Sequence, residues 1–337
     1  MTRSYFDGHD HYVLYGAETS YGSGAVSASN RVSKLQDVSF TFTNNIQLSQ
    51  GVGEGADATS STYGNFDITG SMNIKPTELH FLQFGSGTVD GTGTTADPYK
   101  IIDGNNIGYS GTFVRTGVFE IGATSASNDQ AYNLSGCSVN SWTLSGNQGE
   151  ELNASLDFTS GSMTRSTSLT GYTGDSRSTF TFTSGSVGWN NEFLDCTNFS
   201  VTNNFPSNYP REVMTRFGKQ PTKGVRRYNW TLTLNKHYDD ASGQISGVEL
   251  LDEFFGDTNV PKTDGLPTGR DLLFHIRDGT SSGDKQTNIQ LANSYINDWA
   301  ESPSLEGGVT TITVNGVSLS GQTETGNKIC LKWWDET

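Results

Sequence analysis

The chain states one pattern twice. Leu35-Gln-Asp-Val-Ser-Phe-Thr-Phe-Thr-Asn-Asn-Ile46 returns as Leu194-Asp-Cys-Thr-Asn-Phe-Ser-Val-Thr-Asn-Asn-Phe205, with Thr-Asn-Asn at 43–45 and again at 202–204. A repeat spaced at about half of a 337-residue chain points to two copies of one domain, each long enough for its own core. Three further landmarks follow in the same order. An alternating strand, Phe66–Lys75, corresponds to Tyr228–His237, with Phe66 aligned on Tyr228. Short apolar runs ending in glycine, Glu78–Gly85 and Glu249–Gly256, each predict a helix of about two turns with the glycine as its stop. Val139-Asn-Ser-Trp142 then pairs with Ile296-Asn-Asp-Trp299, each leading into another alternating strand, Leu152–Phe158 and Val309–Val314.

Forty glycines, abundant Ser, Thr and Asn, and many short alternating segments predict a mainly β, antiparallel chain. Only 33% of residues are apolar, so the cores are shallow and subunit contacts have room to add stability. The order of segments divides the chain into an N-terminal arm (1–30, with one candidate strand at Tyr12–Tyr15), a first domain (31–165), a linker (166–178), a second domain (179–320) and an aromatic tail (321–337). In that tail, Trp333 and Trp334 read as a subunit or domain contact rather than a ligand site.

A net charge of −15 argues against gripping nucleic acid through a basic surface, although adaptation to salt is a second source of acidity. The N-terminus lacks a basic-then-apolar run and no apolar stretch approaches 18 residues, so neither a signal peptide nor membrane insertion is expected. Cys137, Cys196 and Cys330 have no metal-like spacing and read as buried free thiols. His9 and His11 lack a distant partner, and His80 stands where the second copy has Leu251, so neither a metal nor a cofactor site is expected. Nucleophile elbows, phosphate loops and acid pairs recurring in both copies are absent from the sequence, which argues against an enzyme.

The alternating strands carry a sharper signal. Asp67, Thr69, Ser71 and Asn73 share one face of the first, and Asn229, Thr231, Thr233 and Asn235 one face of its counterpart. Asn153, Ser155 and Asp157, and Thr311 with Thr313, repeat this later. These faces are short, neutral or acidic, and free of Lys and Arg until the strand ends. An ordinary solvated sheet face usually carries such cations. A face without them suits a channel wall past which DNA slides, because each neutralised phosphate would add affinity. The two long loops differ: 48–64 holds Glu54 and Asp57 and no base, whereas 206–227 holds Arg211, Arg216, Lys219, Lys223, Arg226 and Arg227 against the single acid Glu212. A basic loop on an acidic protein suits a repeated subunit contact as well as plain solvation, and nucleic-acid binding ranks below both.

The strand Val38–Asn45, the strand Ile68–Met72, the run Glu78–Leu82 and Cys137–Trp142 leading into Leu152–Phe158 together resemble tail tube proteins of tailed phages and archaeal viruses. The likeness covers most of the first copy and, more weakly, the second. It implies β-sandwich or half-barrel domains, each with a flanking helix, whose sheets join between subunits around a channel. It implies loops reaching a neighbouring ring, by position 48–64 and 206–227, and a structural role in the virion tail, assembled in the host cytoplasm. Tandem two-domain members resemble trimers posing as six subunits. The resemblance therefore implies self-assembly into trimeric rings stacked as a tube. The implied partners are the tape measure protein and transiting DNA inside, and terminator and baseplate proteins at the ends. The competing expectations are a β-sandwich adhesin or carbohydrate-binding baseplate module, which would cluster aromatics on an exposed sheet face, and a β-rich hydrolase.

Overall fold

A computed structural model describes residues 11–18, 20–27, 30–49, 58, 60–79, 81–82, 88–103, 116–124, 129–171, 176–211, 215–223, 226–237, 244–256, 260–261, 268–278, 285–303, 308–319, 322–324 and 327–336. In the first half the strands are β1 (His11–Ala17), β2 (Lys34–Ser49), β3 (Ser60–Lys75), β4 (Thr88–Asp90), β5 (Tyr99–Asp103), β6 (Gly117–Ala123), β7 (Gln130–Asn147), β8 (Asn153–Ser160) and β9 (Ser162–Ser166). The second half contains β10 (Thr181–Trp189), β11 (Glu192–Leu194), β12 (Cys196–Asn204), β13 (Ser207–Asn208), β14 (Thr222–Lys223), β15 (Arg227–Asn235), β16 (Arg270–Arg277), β17 (Gln286–Ser302), β18 (Thr311–Ser318), β19 (Gln322–Glu324) and β20 (Asn327–Glu336). Helix α1 (Gly247–Phe255) follows β15. The fold is thus mainly β, as the alternation predicts, and the named sheet ladders are antiparallel.

Strand order in the first half runs β1–β6–β7–β8–β3–β2, and in the second β10–β16–β17–β18–β15–β12. The ladders slip at matching places. Leu35/Asp37 matches Cys196/Asn198, Val139/Ser141 matches Ile296/Asp298, and Gly117/Phe119 matches Arg270/Leu272. The last slip centres on a left-handed residue in each half, Gly136 (φ 65°) and Asn293 (φ 49°). Such bulges re-aim a long strand, and here β7 passes from pairing with β6 to pairing with β8, and β17 from β16 to β18.

Through these ladders Trp142 corresponds to Trp299, as the sequence alignment has it. Elsewhere the sequence alignment is two residues out: Phe40 corresponds to Val201 rather than Phe199, and Met72 to Leu232 rather than Leu234. A shift of two keeps every side chain on its face, so alternation alone fits both offsets equally well.

Between the strands on either side of these bulges lies an apolar core. Phe119 of β6 meets Phe158 of β8 edge-on at 5.5 Å, and Trp189 of β10 meets Trp230 of β15 at 5.7 Å. One exchange stands out. In the first half Gly70 lies opposite Phe158; at the corresponding pair of the second half Trp230 lies opposite Gly316. The large ring and the glycine that makes room for it have traded strands.

Segments read from the sequence as arm and tail belong to the sheets. β1 pairs along its whole length with β6, and Tyr12, Val13, Leu14 and Tyr15 are all buried. β20 pairs with β17 on one side and β5 on the other, and buries Trp333 against Tyr99 at 5.4 Å. The aromatic tail is therefore a contact between the two halves of one chain. Residues 162–166, at the end of the expected first domain and reaching the first residue of the expected linker, form β9 on β7.

The helix expected at 249–256 is α1. Ser246 and Glu249 form a reciprocal capping box, and Gly256 ends the helix in the left-handed conformation (φ 71°). Half of its first-half counterpart, Glu78–Gly85, falls outside the described residues, His80 included; Phe81 and Leu82 form a 3₁₀ turn. Two carboxylates that the sequence did not mark are buried for structure. Glu18 accepts from Gly136 N (2.7 Å), Gly22 N (3.2 Å) and the Thr116 hydroxyl, and Glu120 accepts from Tyr12 (2.7 Å) and from Thr170 N (3.0 Å) and Oγ1 (2.5 Å). Cys137, Cys196 and Cys330 are buried free thiols, as expected.

Candidate functional site

Eight strands form one continuous ladder in the order β2–β3–β8–β7–β12–β15–β18–β17. The bridge between the halves is β7 on β12, with seven consecutive pairs from Ser141↔Asn204 to Asn147↔Asn198. Residues directly opposite in a ladder share a face. Thr41, Thr69, Thr159 and Ser138 therefore lie in one row. Asp37 and Asn73 begin another, which continues through Ser155, Thr143, Thr202 and Asn229 across the bridge. Asn315 and Thr313 extend the face to Asp298 and Ala300 on β17.

All thirteen residues singled out from alternation (Asp67, Thr69, Ser71, Asn73, Asn153, Ser155, Asp157, Asn229, Thr231, Thr233, Asn235, Thr311 and Thr313) lie on this one face, exposed or half-buried. The opposite face, with Met72, Leu156, Trp142, Val201, Trp230 and Val314, is buried in the core. The alternation rule missed β2, β7, β12 and β17, which contribute Asp37, Ser39, Ser141, Ser200 and Asp298, because bulges interrupt their periodicity. Read in short windows, Asp37-Ser39-Thr41-Thr43 against Val38-Phe40-Phe42 carries the same signal.

Many polar groups on the face bond across strands. Thr143 Oγ1 and Thr202 Oγ1 are 3.0 Å apart across the bridge, and Ser39 and Ser71 hydroxyls 2.9 Å. Ser141 donates to Asp157 (2.7 Å), Thr231 to Asn315 (2.7 Å), Asn315 to Asp298 (3.2 Å) and Asn73 to Asp37 (2.9 Å). Cations stand at its ends. Lys75 pairs with Glu151, whose carboxyl is held below its ordinary range by hydrogen bonds from Lys75 and Thr179, and Arg227 lies opposite Asn204. One aromatic enters these rows: the Asn229 row ends, through Val317, at the half-buried Tyr295 of β17. The face thus presents short neutral dipoles already engaged with one another, with scattered carboxylates.

Beyond the point where β8 leaves β3, near Ile68, β2 and β3 have no other strand partner among the described residues and form a projecting hairpin. It exposes Ile46, Leu48 and Tyr63 (53%, 70% and 72%). Glu54 and Asp57 lie outside the described residues. The basic loop of the second half folds back onto the base of this hairpin. Arg211 pairs with Asp67; Arg216 donates to Asn44 and to Gly64 O, and its guanidinium sits 4.9 Å over the Tyr63 ring. Phe217 packs edge-on against Phe66 at 5.7 Å, and the Tyr209 hydroxyl lies 2.7 Å from Gly136 O and 2.8 Å from Thr159 O. Arg226 lies over the Phe205 and Tyr228 rings at 5.6 and 5.7 Å. Lys219 is exposed, and the Lys223 side chain is outside the described residues.

The family model of the phage tail tube protein matches residues 8–322. Comparison with curated proteins gives no match. A match spanning nearly all of a chain that is mainly β throughout decides its membership: the chain belongs to the phage tail tube protein family, structural proteins of the virion tail.

Proposed function

We propose that this chain comprises two tandem tube domains, and that three chains form a pseudo-hexameric ring that stacks into the hollow conduit for the viral genome. The observation that carries the reading is the continuous polar inner face, β2 through β17, with both outer edges open. Matching strand orders and matching bulges support the duplication. They favour domains that include β1 and β20 over the narrower limits 31–165 and 179–320. Joining such faces around an axis removes the exposed edges that otherwise invite aggregation. Three chains with eight inner strands each would close a barrel of twenty-four.

On this reading the face of Thr, Ser, Asn and Asp lines the lumen, where the tape measure protein and then DNA pass without salt links to phosphate. The projecting β2–β3 hairpin reaches the next ring, a head-to-tail contact that does not close on itself and so builds a stack. Arg211 and Arg216 brace that hairpin from within the chain. Terminator and baseplate proteins meet the two ends, assembly takes place in the host cytoplasm, and the role is non-enzymatic. The rows of the polar face carry the single aromatic Tyr295 and no cluster of rings, which weighs against the carbohydrate-binding alternative.

Negative-stain microscopy with native mass measurement tests this. The expected result is rings with a central channel, each of three 36.4 kDa chains, and stacks of them at higher concentration. Monomers alone across salt and concentration would overturn it.

A further inference from the structure

The chain contains a template for closing its own open edges. Ladder by ladder, β12 is the counterpart of β2, and β17 of β7. The β7–β12 bridge, with Asn203 opposite Trp142, Thr202 opposite Thr143, Val201 opposite Leu144 and Ser200 opposite Ser145, is thus a junction between the end of one repeat and the start of the next. Transferring it residue by residue sets β17 of one chain against β2 of another. We propose that a second copy of this chain is the partner of the β17 edge and that its register is that of the internal bridge. Trp299 then lies opposite Phe42 of the second copy, Ala300 opposite Thr41, Glu301 opposite Phe40 and Ser302 opposite Ser39. This rests on the ring reading above and adds the partner edge and the register.

Three independent observations support it. Among the described residues β2 pairs only with β3, and the stretch Tyr295–Ser302 of β17 only with β18, so both edges lack a second strand partner. The apolar sides of these strands are short of cover. Phe199, Val201 and Asn203 of β12 are 0, 1 and 0% exposed, whereas Val38, Phe40 and Phe42 of β2 are only half-buried. Likewise Trp142 is 1% exposed and its counterpart Trp299 half-buried. Finally, Leu35–Ser49 contains no Lys, Arg or Pro, the residues that usually guard a long edge against pairing.

The test is a cysteine pair, Thr41→Cys with Ala300→Cys, on the exposed polar face. Its internal equivalent is Thr143 and Thr202, whose hydroxyls approach to 3.0 Å. A Thr143→Cys/Thr202→Cys variant serves as the positive control, forming a disulfide within one chain. Native thiols do not compete, because all three are buried. After mild oxidation of assembled protein, the expected result is a disulfide between chains that joins the two introduced thiols, read on a non-reducing gel and by peptide mass. Shifted pairs, Thr41→Cys with Asp298→Cys or Ser302→Cys, should cross-link about tenfold less, because a two-residue offset separates the side chains by about 7–8 Å. Preferential linking of a shifted pair overturns the register. Rings by microscopy with no linking in any pair overturn the β2–β17 contact while the tube reading stands. An absence of both rings and links overturns the two together.

Discussion

A methyl group added at Gly316 would run into the Trp230 ring, and one at Gly70 into the Phe158 ring and, at 2.6 Å, the Ser39 carbonyl. Gly316 is buried, and at half-buried Gly70 the added atom meets a ring and a carbonyl, so Gly316→Ala and Gly70→Ala are each expected to cost about 1–3 kcal/mol by overpacking, measured as a lower midpoint in urea. The thiols of Cys137 and Cys196, pushed up to about 12 chiefly by burial, should resist iodoacetamide at about pH 8 in the native protein and react once it is unfolded. Glu151 gives a pH dependence. Its carboxyl is lowered from 4.5 by the hydrogen bonds from Lys75 and Thr179. A depressed carboxyl contributes stability above its unfolded pKa and loses it as pH falls through the folded value. Thermal midpoints should therefore fall on acidification below about 4.5, and Glu151→Gln should flatten that slope.

Elements differ in how openly the sequence declares them. β3, β8, β15 and β18 alternate cleanly because one side is core and the other is not, and α1 carries Ser246, Glu249 and Gly256 at its ends. Ser246→Ala should cost about 1 kcal/mol in chemical denaturation by leaving the Glu249 amide without its cap. The strand at Tyr12–Tyr15 was legible but its place in the sheet was not, and β20 was not read as a strand, for one physical reason: Tyr12–Tyr15 and Cys330–Trp333 are buried without a break, so nothing alternates. Trp333→Ala is accordingly expected to destabilise the protein by about 3–5 kcal/mol, where a dangling tail would lose nothing. The anchoring of the basic loop was equally illegible, since Arg211 and Asp67 are 144 residues apart. The candidate face was legible in type on four strands. Its continuity across β7 and β12 depends on registers that only backbone pairing decides.

At the scale of the molecule, the face matters as an unbroken surface with almost no cation on it. On the tube reading, Thr143→Arg together with Thr202→Arg plants positive charge midway across it, adding phosphate contacts without touching the core. Rings should still assemble, while DNA retention by the tubes rises and weakens as salt is increased, checked by filter binding across a salt series. The traded pair of Gly70 with Phe158 and Trp230 with Gly316 has a consequence for heredity. A crossover replacing β18 with β8 would set Phe158 against Trp230, and the reciprocal product would leave two glycines facing a hole. The two halves therefore cannot exchange single strands through recombination, and their sequences are free to drift apart while their ladders stay aligned.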